Sequence, residues 1–146
     1  DRFMFLKDTS CDMDNIKEKL TILEGTGFKF FNANSATILP SLRLGGGGFS
    51  GGMGNFHPEL YHKMIASDKD TPETAELLQD FLGVASLIER QQYPVNAKYY
   101  LTLCGLNINL YSRSRNWEDF SKSERAETEQ LYRMTEYMKK QVQITK

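Results

Sequence analysis

FMFLKDTSCDMDNI (3–16) is the stretch on which the fold turns. Phe3–Leu6 is an unbroken apolar run. Unbroken rather than alternating runs belong to strands covered on both faces, as in parallel sheets. Lys7 ends the run, and a helix is expected from about Asp12 to Leu23. Met13, Ile16, Leu20 and Leu23 repeat at helical spacing, and Ser10, Asp12 or Asp14 is placed to cap the first turn. Gly25 and Gly27 then break the chain.

The same alternation continues downstream. FKFF (28–31) reads as a second strand, Ser35–Leu44 as a short helix in spite of Pro40, and Gly48–Met53 as a third, weak strand. His57–Ser67 reads as a helix with Pro58 in its first turn. Strand and helix in strict alternation imply a parallel sheet. Three strands are too few to close a barrel and leave two unpaired edges. From Asp70 onward the pattern is helical. Thr71 and Pro72 form an N-cap and first-turn pair, and an apolar stripe over Leu78, Phe81, Leu82, Ala85 and Ile88 carries a helix toward Tyr93, where Pro94 stops it. Ala97–Leu106 is a short helix, 107–120 a polar connection, and Ser121 with Glu124 a capping box for the last helix. That helix is expected to bury Leu131, Met134, Met138 and Val142.

The 146 residues carry a net charge of −1, 40% hydrophobic and 25% charged residues, the mix of a globular domain. Such a balance gives no electrostatic reason to expect nucleic acid or an anionic membrane as partner. No apolar run approaches the roughly 20 residues that span a bilayer. Cys11 and Cys104 form neither a C-x-x-C pair nor a metal spacing, so two reduced thiols in a cytoplasmic protein are expected. The chain opens Asp1-Arg2 directly before the first apolar run, which reads as a start inside a strand and points to a longer polypeptide.

Lys7 is the first candidate for chemistry. A lysine at the C-terminal end of a parallel strand lies where α/β and barrel folds place their sites, and desolvation there would turn its amine into a nucleophile toward carbonyls. The alternative is a lysine that leaves the strand and reaches water. The cluster Gly45–Gly48, Gly51, Gly52 and Gly54 lacks the G-x-x-x-x-G-K-[ST] pattern, since no lysine follows it, and does not match G-x-G-x-x-G with a helix and a later acidic residue. Backbone amides around a small carboxylate, or tight packing without ligand, fit it better. His57 and His62 are five apart, not at the spacing of a helical metal pair, and no metal site is expected. Arg113 and Arg115 could clamp an anion or stand solvated. Tyr93, Tyr99 and Tyr100 read as core or interface residues.

Taken together, three stretches resemble the dihydrodipicolinate synthase / N-acetylneuraminate lyase family. FMFLKDTSCDMDNI (3–16) is similar to its Schiff-base strand, and FKFFNANSATILPSLRLGGGGFSGGMGNFHPEL (28–60) to the strand–helix–strand–helix that follows. YPVNAKYYLTLCGL (93–106) is similar to a family helix with proline, lysine and a closing Gly-Leu. The resemblance implies the C-terminal portion of a (β/α)8 barrel: its last three βα units over 1–68, then a helical region over 69–146. It implies a pyruvate-dependent lyase or aldolase without a cofactor, in which Lys7 forms an imine with a 2-keto acid and the backbone at Ala33 and Ser50 lines the pocket. A homo-oligomer is implied as well. Ala33 stands where many members have glycine, and Asn34 where many have an acidic residue. The family's proton-shuttling tyrosine, its Gly-Thr-Thr/Ser carboxylate-binding stretch and its substrate-selecting arginine lie earlier in the barrel and have no counterpart here. Low or absent turnover is therefore expected of this chain alone. The expectation from another class is a non-catalytic, self-associating domain built on the same fold.

Overall fold

Parallel pairing of three short strands organises the first half of the chain. The structure, a computed structural model, describes residues 3–144; the expected start at Asp1-Arg2 lies outside them. Strand β1 (Phe5–Asp8) pairs with β2 (Lys29–Asn32), and β2 with β3 (Gly48–Phe49), in the order β1-β2-β3. Lys7 stands beside Phe31, and Phe31 beside Gly48. Side chains of a strand alternate between faces. Leu6, Asp8, Phe30 and Asn32 therefore point to one side, and Phe5, Lys7 and Phe31 to the other.

The first side is covered by helices. Helix α1 (Met13–Leu23) is capped by Asp12, whose carboxylate accepts from the amides of Asp14 and Asn15. It buries Ile16 and Leu20 against Phe30. A 3₁₀ turn at Ser35–Thr37 leads into α2 (Ile38–Arg43). Pro40 is accommodated there because it sits in the first turn, where its missing N–H would have no helical partner. The third strand is shorter than the expected Gly48–Met53. The Ser50 amide still donates to the Asn32 carbonyl at 2.8 Å, but Gly51 then turns the chain into a 3₁₀ segment, Gly52–Asn55. A Cβ on Gly51 would overlap the Phe49 ring and the Ala33 carbonyl, so this turn depends on glycine.

Helices α3 (Pro58–Ser67) and α4 (Pro72–Ala85) pack on each other and on the α2 region. Thr71 does not cap α4 through its side chain, contrary to expectation; its amide instead bonds to the Ser67 carbonyl at 2.8 Å and ties α4 to α3. Helix α4 also stops at Ala85 rather than near Tyr93. A 3₁₀ segment follows over Ser86–Arg90, then a turn with Gln92 at φ 50° and a cis Tyr93–Pro94 bond. Helix α5 (Val95–Leu103) starts two residues before Ala97, and α6 (Lys122–Gln141) opens on the Ser121–Glu124 capping box. Leu131, Met138 and Val142 are buried as expected. Met134 is 50% exposed, and Thr128 and Thr135 take the remaining inward positions. Both threonines are affordable inside because each hydroxyl is hydrogen-bonded, Thr128 to the Glu124 carbonyl and Thr135 to His57.

The main core joins residues from α2, α3, α4, α5 and α6, including Leu39, Leu60, Met64, Leu78, Leu82 and Tyr100. Gln79 links the halves at one point. Its side chain accepts from the Leu39 amide and donates to the Ser35 carbonyl, both at 2.8 Å and both buried. No described helix is long and apolar enough to cross a membrane.

Candidate active site at the strand ends

A pocket of about 390 Å³ opens beyond the C-terminal ends of the strands. Lys7 from β1, Ala33 and Asn34 after β2, Gly52 after β3, and Ser86 and Glu89 from the segment after α4 line it. The sequence places Lys7 here because the apolar strand ends at that residue and the parity of the strand turns it away from α1. Asp8, the next residue, faces the opposite side and is 3% exposed. Burial opposes its ionisation, but hydrogen bonds from the Lys19 ammonium and from the Ser10 hydroxyl and amide more than offset this and hold the carboxyl below the ordinary range. Asp8 thus fixes the loop between Lys7 and α1 and takes no part in the pocket.

Lys7 is exposed. The desolvation expected at this amine is not supplied by the described residues. Ala33 is half-buried and shares the pocket. Its amide is held by the Asp8 carbonyl at 2.9 Å, which sets the spacing of the two strand ends. Ser50 is exposed and does not line this pocket; it borders the open sheet face with Phe5, Phe31 and Phe49. The structure therefore joins Lys7 with Ala33 in one pocket and places Ser50 on another.

Glu89 escapes a reading by motif. It sits in what reads as the interior of a long helix, and only the break at Ala85 brings it over the strand ends. Burial above all raises its carboxyl pKa, while the charge of Lys7 pulls the other way. A Cβ on Gly52 would overlap the Glu89 carboxylate, so this glycine makes room for the acid. Most of the other cluster glycines have structural reasons. A Cβ on Gly46 would lie 2.8 Å from the Ser41 carbonyl oxygen, and one on Gly47 3.1 Å from that of Phe30.

The remaining candidates lie elsewhere. His57 is fully buried between α3 and α6, with Nδ1 at 3.2 Å from the Thr135 hydroxyl, whereas His62 is exposed. Tyr93 accepts a hydrogen bond from Asn55 at 2.8 Å, Tyr99 donates to Glu129 at 2.6 Å, and Tyr100 is core. Arg113 and Arg115 are exposed in the polar connection. Among the described residues no three His, Cys, Asp or Glu side chains gather as a metal site.

A parallel sheet flanked by helices, with a lysine-bearing pocket at its strand ends, defines an α/β protein of the barrel type in its site placement. The chain belongs to the dihydrodipicolinate synthetase family, whose model matches residues 2–134. Solved structures agree on the fold. A putative dihydrodipicolinate synthetase from Pseudomonas aeruginosa is 19% identical with a TM-score of 0.78, over 92% of this chain and 46% of its own. Dihydrodipicolinate synthase DapA-2 from Bacillus anthracis is 17% identical with a TM-score of 0.77, over 91% and 45%. YagE, a prophage protein of the family from E. coli K12 solved in complex with pyruvate, is 19% identical with a TM-score of 0.76, over 93% and 46%. The chain thus spans about 45% of the length of the structures it matches. No curated protein matches it. The three-stranded sheet and the helices after it fit part of the barrel of these proteins.

Proposed function

We propose that this chain is the C-terminal portion of a Schiff-base lyase or aldolase acting on 2-keto acids. Residues 1–68 supply the last three βα units of the barrel, and 69–146 the helical region. The observation that carries the reading is Lys7 at the end of β1, in one pocket with Ala33. The structural relative solved with pyruvate supports a keto acid as the ligand class.

In this reading the unprotonated Lys7 amine adds to the keto carbon of pyruvate. The carbinolamine loses water and leaves an iminium that withdraws electrons from the neighbouring methyl carbon. Loss of a proton from that carbon gives an enamine, which forms a carbon–carbon bond to an aldehyde. Water then releases the product and restores the amine. Cleavage is the same sequence reversed. The backbone at Ala33 borders the keto acid, with Ser50 on the neighbouring open face, and no step needs a cofactor. Preceding barrel strands would bury Lys7 and bring the acid–base residue this chain lacks, so turnover by the chain alone should fall by about 10²–10⁴-fold or more.

Borohydride reduction in the presence of pyruvate, followed by peptide mass spectrometry, tests the assignment. The adduct is expected on Lys7 and should vanish in Lys7→Arg. Adducts spread over surface lysines, or none on a folded chain, would sink it.

A second reading rests on Phe3, Met4 and Phe5, which are 80%, 76% and 62% exposed along the β1 side of the sheet. Such a face and edge favour self-association, with the chain acting as an interaction domain rather than an enzyme. Sedimentation that shows a monomer at all concentrations would remove it.

A further inference from the structure

Among the described residues, Glu89 is the one acid brought against the Lys7 pocket from the helical region. It is half-buried, it accepts no hydrogen bond from any described residue, and Gly52 is hollowed out to receive it. A carboxylate in that state wants hydrogen-bond donors. Nearby, Asn34 spends its side-chain oxygen on the Ala36 amide at 3.0 Å, which leaves its amide nitrogen as a second polar contact on the same wall. Arg90 also lines the pocket, but it is exposed, so its attraction for anions is screened by water and salt more than the repulsion from Glu89.

We propose that Glu89 selects the substrate at the end remote from the keto acid: it accepts a hydrogen bond from a hydroxyl there and rejects a second carboxylate. The inference deepens the lyase reading and rests on it for the orientation of the ligand, with the keto group toward Lys7. A hydroxyl satisfies the carboxylate and contributes a charge-assisted bond, whereas a second carboxylate would bring like charges together in a partly desolvated space.

A matched pair of ligands tests this: the five-carbon 2-keto acid ending in a primary alcohol, and 2-oxoglutarate, which ends in a carboxylate at the same carbon. Their equilibrium binding to the full chain is measured by calorimetry without borohydride, so no imine needs to be trapped. The alcohol should bind at least about tenfold more tightly. Glu89→Gln should bring the two within about threefold, chiefly by tightening 2-oxoglutarate. Gly52→Ala keeps every charge but pushes the flexible end of Glu89 aside, and it should erode the preference in the same direction. It also serves if Glu89→Gln does not fold. Equal affinities in the unmodified chain, a preference that survives both substitutions, or no binding of either ligand would overturn the proposal. Selectivity without any pyruvate adduct on Lys7 would uphold Glu89 and remove the lysine chemistry. An adduct without selectivity would do the reverse.

Discussion

His57 shows how a single buried side chain sets the acid limit of the fold. It is 0% exposed, and its Nε2 has no hydrogen-bond partner among the described residues. Burial first, and then the positive charge of Lys139, lower its pKa from 6.5 to about 3. Lys139 is itself held by Glu59 and Glu136. The folded chain therefore keeps His57 neutral where the unfolded chain takes up a proton. The stability this residue contributes is fully present above the unfolded value of 6.5 and is lost as the pH falls from there toward about 3. Each pH unit well inside that window costs up to ~1.4 kcal/mol. Urea midpoints between pH 7 and 4 should fall steadily, and His57→Gln should flatten the slope between pH 6 and 4.5, above the range where carboxylates titrate. A slope unchanged in the variant would rule His57 out as the cause. At this same scale, Lys7 was legible because an apolar run stops on it and a polar turn follows. Glu89 was not, since nothing local marks it. Its place depends on a helix breaking at Ala85, which propensity does not betray.

Among the elements, α4 holds the two regions together by Gln79 as well as by its apolar stripe. That side chain satisfies a buried amide at Leu39 and a buried carbonyl at Ser35, the start and approach of α2. Ser35 in turn shares a 2.6 Å hydrogen bond with Tyr61 on α3. Gln79→Leu would leave both backbone groups without a partner in a dry site. It should cost about 2–4 kcal/mol in chemical denaturation, more than the loss of a typical exposed polar side chain. A change below ~0.5 kcal/mol would show that water replaces the amide. The sheet and its helices were readable from the alternation of apolar runs, and the last helix from its capping box. The third strand and α4 were over-extended in that reading because glycine and short apolar residues carry no signal of where a turn begins. The turn at Gly51 is dictated by the Phe49 ring and the Ala33 carbonyl, contacts that only the folded chain contains.

At the scale of the molecule, most of the apolar burial among the described residues falls into two separate groups. The large one runs through α2 to α6; the small one is Ile16, Leu20 and Phe30, with Met13 and Leu23 at its margin. Strand β1 belongs to neither, since Phe5 is 62% and Leu6 38% exposed. Its attachment is a backbone ladder to β2 and the Asp8–Lys19 pair. Regions with few buried contacts open well below the global unfolding free energy. Amide hydrogen exchange should therefore be fastest in β1 and α1 and slowest in α4 and α6, and addition of pyruvate with borohydride should slow exchange in β1. Uniform protection across both groups would contradict this division.

The separation of the two apolar groups has a further result. The amine at Lys7 rides on the weakly anchored piece, and the acid at Glu89 on the durable one, so the two walls of the pocket do not share a common endurance. On warming, they part company before the helices of the large group melt. Ligand capture will then fade several degrees below the loss of helical dichroism, and any ligand that spans the gap from Lys7 to Glu89 acts as a clasp, raising the lower transition toward the upper one.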